Sequence, residues 1–169
     1  MKISIFQPAC PAYRIPFFNR LYMHYGIDFK VYYSLSNMGL GSNNKSTYQW
    51  QRVIGRLYKP LPGIEWQKGM LNCDIKTDDL IVICGNPRNL STLLLIIKSR
   101  FYNIPIIWRG QYWGANSTQL TKNIRILIAS MTNGLVFYTD SEVQAYLEYN
   151  PKNRLPISAL NNGISNKEI

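Results

Sequence analysis

Five residues of this chain have the type and placement to hold a phosphate or a hydroxyl-rich ligand: Arg14, Asn86, Arg109, Gln111 and Tyr112. Each lies in, or at the mouth of, a short segment that follows strand-like sequence: residues 8–14, 85–89 and 110–114. Arginine gives charge-assisted, often bidentate hydrogen bonds to phosphate and carboxylate. Amides and phenols read hydroxyls, and tyrosine adds a stacking face. Tyr13 and Arg14 in the first loop, and Asn162 and Gly163 in the last turn, are candidates for a phosphate or donor contact. Plainer roles compete. Arg14 is equally suited to a salt bridge anchoring the first helix, and Tyr112 and Trp113 to a core. His24 fits a helix C-terminus. Asp140 fits helix capping better than general-base chemistry. Asp78 and Asp79 precede a strand and read as a solvated turn.

Other chemistries are excluded by what the sequence lacks. Cys10, Cys73 and Cys84 include no CxxC pair and His24 is the only histidine, so no zinc or other metal site is expected. No GxGxxG follows the first strand, no GxxxxGK[ST] or GxSxG occurs, and no acidic cluster stands ready for magnesium. No cofactor is expected. The first residues do not read as a signal peptide, and Leu93 to Ile97, the longest apolar run, is too short to span a membrane. The cysteine usage suits a reducing cytosol.

Charge is unevenly placed. Residues 1–60 carry eight Lys/Arg against the single acid Asp28, a balance of +7 out of a total of +10. Such a patch points to an anionic partner: phospholipid, a pyrophosphate-bearing lipid or nucleic acid.

The elements that must position these residues follow from periodicity. Residues 2–7, 28–34, 80–84, 105–109, 134–138 and 154–160 read as strands, with LIVIC at 80–84 a run buried on both faces. Helices are predicted from Pro16 to about Tyr25, over 90–101 (apolar almost all round), over about 119–131 with Leu120, Ile124, Leu127, Ile128 and Met131 on one stripe, and from 139 to about 149. The last opens on a capping box, Thr139 capping and Glu142 reaching back. Residues 36–46 read as a loop and 47–72 as short strands or a hairpin. Alternation of strand and helix gives a doubly wound, mainly parallel α/β sheet, in which ligands bind beyond the carboxyl ends of the strands.

In that order the pieces are familiar. KISIFQPACPAYRIPFFNRL, LIVICGNP, PIIWRGQYWG, GLVFYTDSE and ALNNGI resemble the series found in the N-terminal, Rossmann-like domains of bacterial family-4-like glycosyltransferases of the GT-B fold. Asn162-Gly163-Ile164 is similar to the turn at which those enzymes pass into their second domain, with Ser165 where Asp is usual. The resemblance implies an acceptor-binding domain over 1–164, a linker starting at 165–169, and a donor domain carrying the Lys/Arg pair and paired glutamates beyond this chain. It implies a retaining transfer of a sugar from a nucleotide-sugar donor to a polyprenyl-pyrophosphate-linked or saccharide acceptor. That places the protein in surface polysaccharide or lipopolysaccharide synthesis, peripheral on the cytoplasmic face of an anionic membrane. Many relatives carry Gly-Gly in the first loop, where this chain has Pro-Ala-Cys-Pro-Ala-Tyr-Arg, so donor-phosphate contact from this half is not implied. Rival classes are one subunit of a split glycosyltransferase, a basic nucleic-acid-binding α/β module, and a non-enzymatic binding domain. No RNA-binding signature is present, so nucleic acid is not expected as a partner.

Overall fold

The computed structural model describes residues 1–35, 38–40, 48–111 and 118–161. Strand β1 (Ile3–Phe6) leads through a 3-10 turn into helix α1 (Ile15–Tyr25) and strand β2 (Phe29–Ser34). Pro16 sits in the first turn of α1, where its missing N–H is not needed. Gly26 closes the helix at φ +61°, a conformation that glycine adopts without a Cβ penalty. Then come β3 (Gln51–Ile54), the antiparallel pair β4 (Leu57–Leu61) and β5 (Ile64–Gln67), and β6 (Leu80–Cys84). Helix α2 (Leu90–Phe101), β7 (Ile106–Arg109), α3 (Gln119–Ala129), β8 (Gly134–Phe137), α4 (Asp140–Tyr149) and β9 (Ile157–Ala159) complete the order.

Seven strands form one parallel sheet in the order β3-β2-β1-β6-β7-β8-β9. The fold is the doubly wound, Rossmann-like α/β class read from the sequence. Direction reverses between β1 and β6, so the topological switch point lies at their carboxyl ends. Alternation along the strands sends Ile3, Ile5, Phe29 and Val31 to one face, where they pack with Phe18 of α1 and Trp50. Phe6, Ile81, Ile83, Ile106, Trp108 and Phe137 face the other way, against Leu95 of α2, Ala129 of α3 and Tyr146 of α4. The Trp50 indole donates to Asn19 Oδ1 at 2.8 Å, which ties α1 to the edge of the sheet.

Residues 47–72 hold the short strands and hairpin expected of them, β3 joining the main sheet and β4–β5 forming the hairpin. Other expectations need correction. The apolar stripe expected on α3 faces the core only in part, through Ile128 and Met131. The helix turns Ile126, Ile128 and Ala129 inward and leaves Leu120, Ile124 and Leu127 exposed. The sheet-facing side of α2 includes buried Ser91, Thr92 and Ser99, while Ile97 and Phe101 are exposed. Asp78 is half-buried rather than solvated, and burial raises its carboxyl pKa. The cap of α4 is made as expected on one side, Thr139 accepting from Glu142 N at 3.2 Å. Glu142, however, reaches one residue further back and accepts from Tyr138 N at 2.9 Å. A cap of this type contributes about 1 kcal/mol.

Candidate anion site at the switch point

Gln7, the residue immediately after β1, is the hub of the carboxyl edge. Its N–H donates to Tyr32 O and its carbonyl accepts from Gln67 Nε2, both at 3.0 Å, so its backbone is fixed from β2 on one side and from the hairpin on the other. Gln67 Nε2 also donates to Ser34 Oγ at 3.0 Å, and its backbone is held by Ser91 Oγ of α2. The side-chain carbonyl of Gln7 then accepts from two guanidiniums. Arg14 Nη1 lies at 3.3 Å and Arg109 Nη2 at 3.2 Å. Arg14 comes from the turn before α1 and Arg109 from the last position of β7.

This arrangement is electrostatically one-sided. Arg109 is only 5% exposed, and its Nε, like Nε2 of Gln7, is buried with no hydrogen-bond partner among the described residues. Neither arginine has a carboxylate partner there, so the salt bridge considered for Arg14 is not made. Burial, and after it the Arg14 cation, pulls the Arg109 pKa down. For Arg14 burial acts the same way but is outweighed by Tyr13 and Tyr138, and its pKa is raised. Burial pushes the Cys84 thiol up despite both arginines, so it is a neutral thiol at pH 7 and no counter-ion. Burying an unpaired ion costs several kcal/mol, and an anion seated between the two guanidiniums would offset that cost.

Two glycines make room for this convergence. Gly85 N donates to Arg109 O at 2.7 Å, and a Cβ on Gly110 would come within 3.2 Å of Gly85 O. The ends of β6 and β7 therefore approach each other closely, with the Trp108 indole lying over Gly85.

The other sequence candidates fall elsewhere. Tyr13 is exposed, with the Arg14 guanidinium 5.5 Å from its ring centre. Asn86 is not directed at the arginine pair. Its Nδ2 donates to Glu65 Oε2 at 2.6 Å, and its Oδ1 accepts from Arg88 N at 3.1 Å. Gln111 is exposed and offers its backbone carbonyl to Arg125 Nη1 at 2.9 Å. Tyr112, Asn162 and Gly163 lie outside the described residues. Asp140 pairs with Asn161, which donates from Nδ2 at 2.7 Å, in a structural tie between α4 and the chain after β9. Gln7 and Glu65 are missing from the sequence-based set. Gln7, a polar residue ending an apolar strand, was a readable signal, whereas Glu65 lies in the segment without a period.

Among the described residues no cluster of His, Cys, Asp and Glu suits a metal ion, and no helix is long and apolar enough to cross a membrane. Comparison with protein-family models and with curated proteins finds no match for this chain.

Proposed function

We propose that this chain is the acceptor-side domain of a GT-B-type glycosyltransferase, and that Arg14 and Arg109 seat the phosphate of a lipid-linked acceptor. The observation that carries this reading is the uncompensated arginine pair on Gln7, at the switch point of a Rossmann-like sheet. The enclosed, paired geometry suits a compact phosphate or pyrophosphate better than an extended nucleic-acid backbone. The nucleotide-sugar donor is assigned to a second domain, carried on a further segment or a separate subunit. The transfer would belong to surface polysaccharide or lipopolysaccharide synthesis at the cytoplasmic membrane face.

The test uses the protein encoded by the whole gene, together with any separately encoded donor subunit. Each charge-assisted hydrogen bond to phosphate contributes about 1.5–3 kcal/mol. Arg14→Ala is therefore expected to weaken acceptor use by roughly tenfold to a hundredfold with nucleotide-sugar affinity unchanged. A normally folded variant with unimpaired transfer would remove the acceptor from this pair, and a selective loss of donor affinity would assign the pair to the other substrate.

The membrane part of the proposal has its own support. Besides the +7 balance of residues 1–60, the outer side of α1 and the turn after it exposes Phe17, Arg20, Met23 and Ile27. Cationic and apolar groups on one face suit an anionic bilayer surface. Co-sedimentation with vesicles containing phosphatidylglycerol should exceed that with phosphatidylcholine alone, and should fade towards 1 M salt, where the Debye length is about 3 Å. Equal sedimentation with both would refute it.

A further inference from the structure

A groove whose lining includes neither Arg14 nor Arg109 is chemically distinct from the arginine pair. Its volume is about 610 Å³, within the roughly 300–1,000 Å³ usual for ligand sites. Hairpin β4–β5 supplies Ile64 and Glu65, the β6–α2 connection Asn86 and Arg88, and α3 Ile124 and Arg125. The walls are tied together. Glu65 N donates to Arg88 O at 2.8 Å, Glu65 bridges to Asn89 in parallel fashion, and the Asn86 amide holds the Glu65 carboxylate at 2.6 Å. Glu65 is thus a positioned acceptor fixed by a neutral partner.

Two cations line the same groove, Arg88 beside Glu65 on the same wall and Arg125 from α3. Arg125 makes a single side-chain hydrogen bond, to the Gln111 carbonyl, and the Arg88 guanidinium makes none among the described residues. Among the described residues neither forms an ion pair with a carboxylate. Burial first and Arg88 second pull the Arg125 pKa down, with Glu142 opposing them.

A ligand matched to this groove carries one anionic group for the arginines and hydroxyl donors for Glu65, since a carboxylate only accepts and a guanidinium only donates. It also has an apolar C–H face to lie on Ile64 and Ile124. A phosphate dianion meets the first demand but is repelled by Glu65, and a neutral sugar meets only the second and third. We propose that this groove binds a uronic-acid-type sugar, with its carboxylate between Arg88 and Arg125 and its ring hydroxyls on Glu65. If the chain is the acceptor half of a glycosyltransferase, the acceptor saccharide is then acidic, but the binding itself does not rest on that reading.

The probe is methyl β-D-glucuronide, titrated into the 15N-labelled 169-residue chain and followed by amide NMR, with methyl β-D-glucoside and inorganic phosphate as comparisons. Saturable shifts are expected at Glu65, Asn86, Thr121 and Arg125, with the glucoside and phosphate each at least about tenfold weaker. Arg88→Gln and Arg125→Gln should each raise the glucuronide Kd about tenfold, or roughly 1.4 kcal/mol, and the same spectra report whether each variant is folded. Absent saturation, equal affinity for the neutral glucoside, phosphate binding as tightly as the glucuronide, or folded variants with unchanged Kd would each overturn the proposal. The transfer assay reads Arg14, whereas this titration reads Arg88 and Arg125, so either proposal can fail without the other.

Discussion

Arg109→Met is expected to keep or raise the melting temperature while removing the response of the protein to pyrophosphate. The side chain is 5% exposed and unpaired, and its nearest charged neighbour is another cation. Replacing it by an apolar chain of similar volume removes a desolvated charge and the repulsion from Arg14. Replacing a buried ion pair by apolar residues is often neutral or stabilising by about 1–4 kcal/mol, and the same sign is expected where the buried charge has no counter-ion. The loss is one hydrogen bond to Gln7 Oε1, which still accepts from Arg14. At about 2–4 °C per kcal/mol for a chain of this size, the melting point should hold or rise by several degrees. The wild-type chain should itself be stabilised by pyrophosphate, by about 2.7 kcal/mol at a hundred times Kd. That increment should vanish in Arg109→Met. A thermal melt with and without pyrophosphate decides between two roles. A variant that melts much lower, in a protein indifferent to pyrophosphate, makes Arg109 a structural residue and removes the anion site.

Gly85→Ala should have the opposite signature, a large loss of stability from a single methyl group. An added Cβ would come within 2.8 Å of Trp108 Cδ1, and closer still to Nε1 and Cε2. The indole is 1% exposed and packed in the core, so it has nowhere to move without opening the sheet. Overpacking of a well-filled core costs about 1–3 kcal/mol and sometimes more, and this contact is with a rigid ring. A fall in melting temperature of roughly 6 °C or beyond is expected. Gly85→Ala/Trp108→Leu should recover part of it, because the smaller side chain vacates the space. A single variant that melts within 1–2 °C of wild type would show that the indole can shift at little cost.

The sequence made the scaffold legible wherever one physical rule acted alone. LIVIC and GLVFY are strands because an apolar run of that length, bounded by turn residues, can only be buried. Thr139 announces α4 because its hydroxyl supplies a partner for an otherwise unsatisfied N–H. Placing ligands at strand ends then isolated Arg14 and Arg109, and the structure brings both onto one oxygen. Legibility failed where tertiary contacts set the outcome. The stretch around Trp50, Pro60 and Trp66 has no period because its residues serve different neighbours: Trp50 fills the α1 face, while Gln67 hydrogen-bonds Gln7 and Ser34. Asn86 has the chemistry of a ligand residue but is occupied by Glu65, a partner 21 residues away that no local pattern indicates. Leu120 and Leu127 fall on the apolar stripe of α3 yet are exposed, because periodicity reveals a face and not what covers it.

The reversal of strand order at the centre of the sheet also governs how the molecule comes together. Ile3 pairs with Phe29 after 26 residues but with Leu80 only after 77. Closing the longer loop costs about 1 kcal/mol more in chain entropy, and distant pairings slow folding. The two apolar clusters lie on opposite faces of the sheet and both cross the β1–β6 seam, one joining Phe6 to Ile81 and Ile83, the other joining Ile3 and Ile5 to Leu80 and Val82. Neither face of the core is therefore complete until β1 meets β6. Gln7 and Arg14 lie on one side of that seam and Arg109 on the other, so two like charges meet only as the seam closes. The approach of the two guanidiniums is thereby tied to the same step that completes both apolar faces.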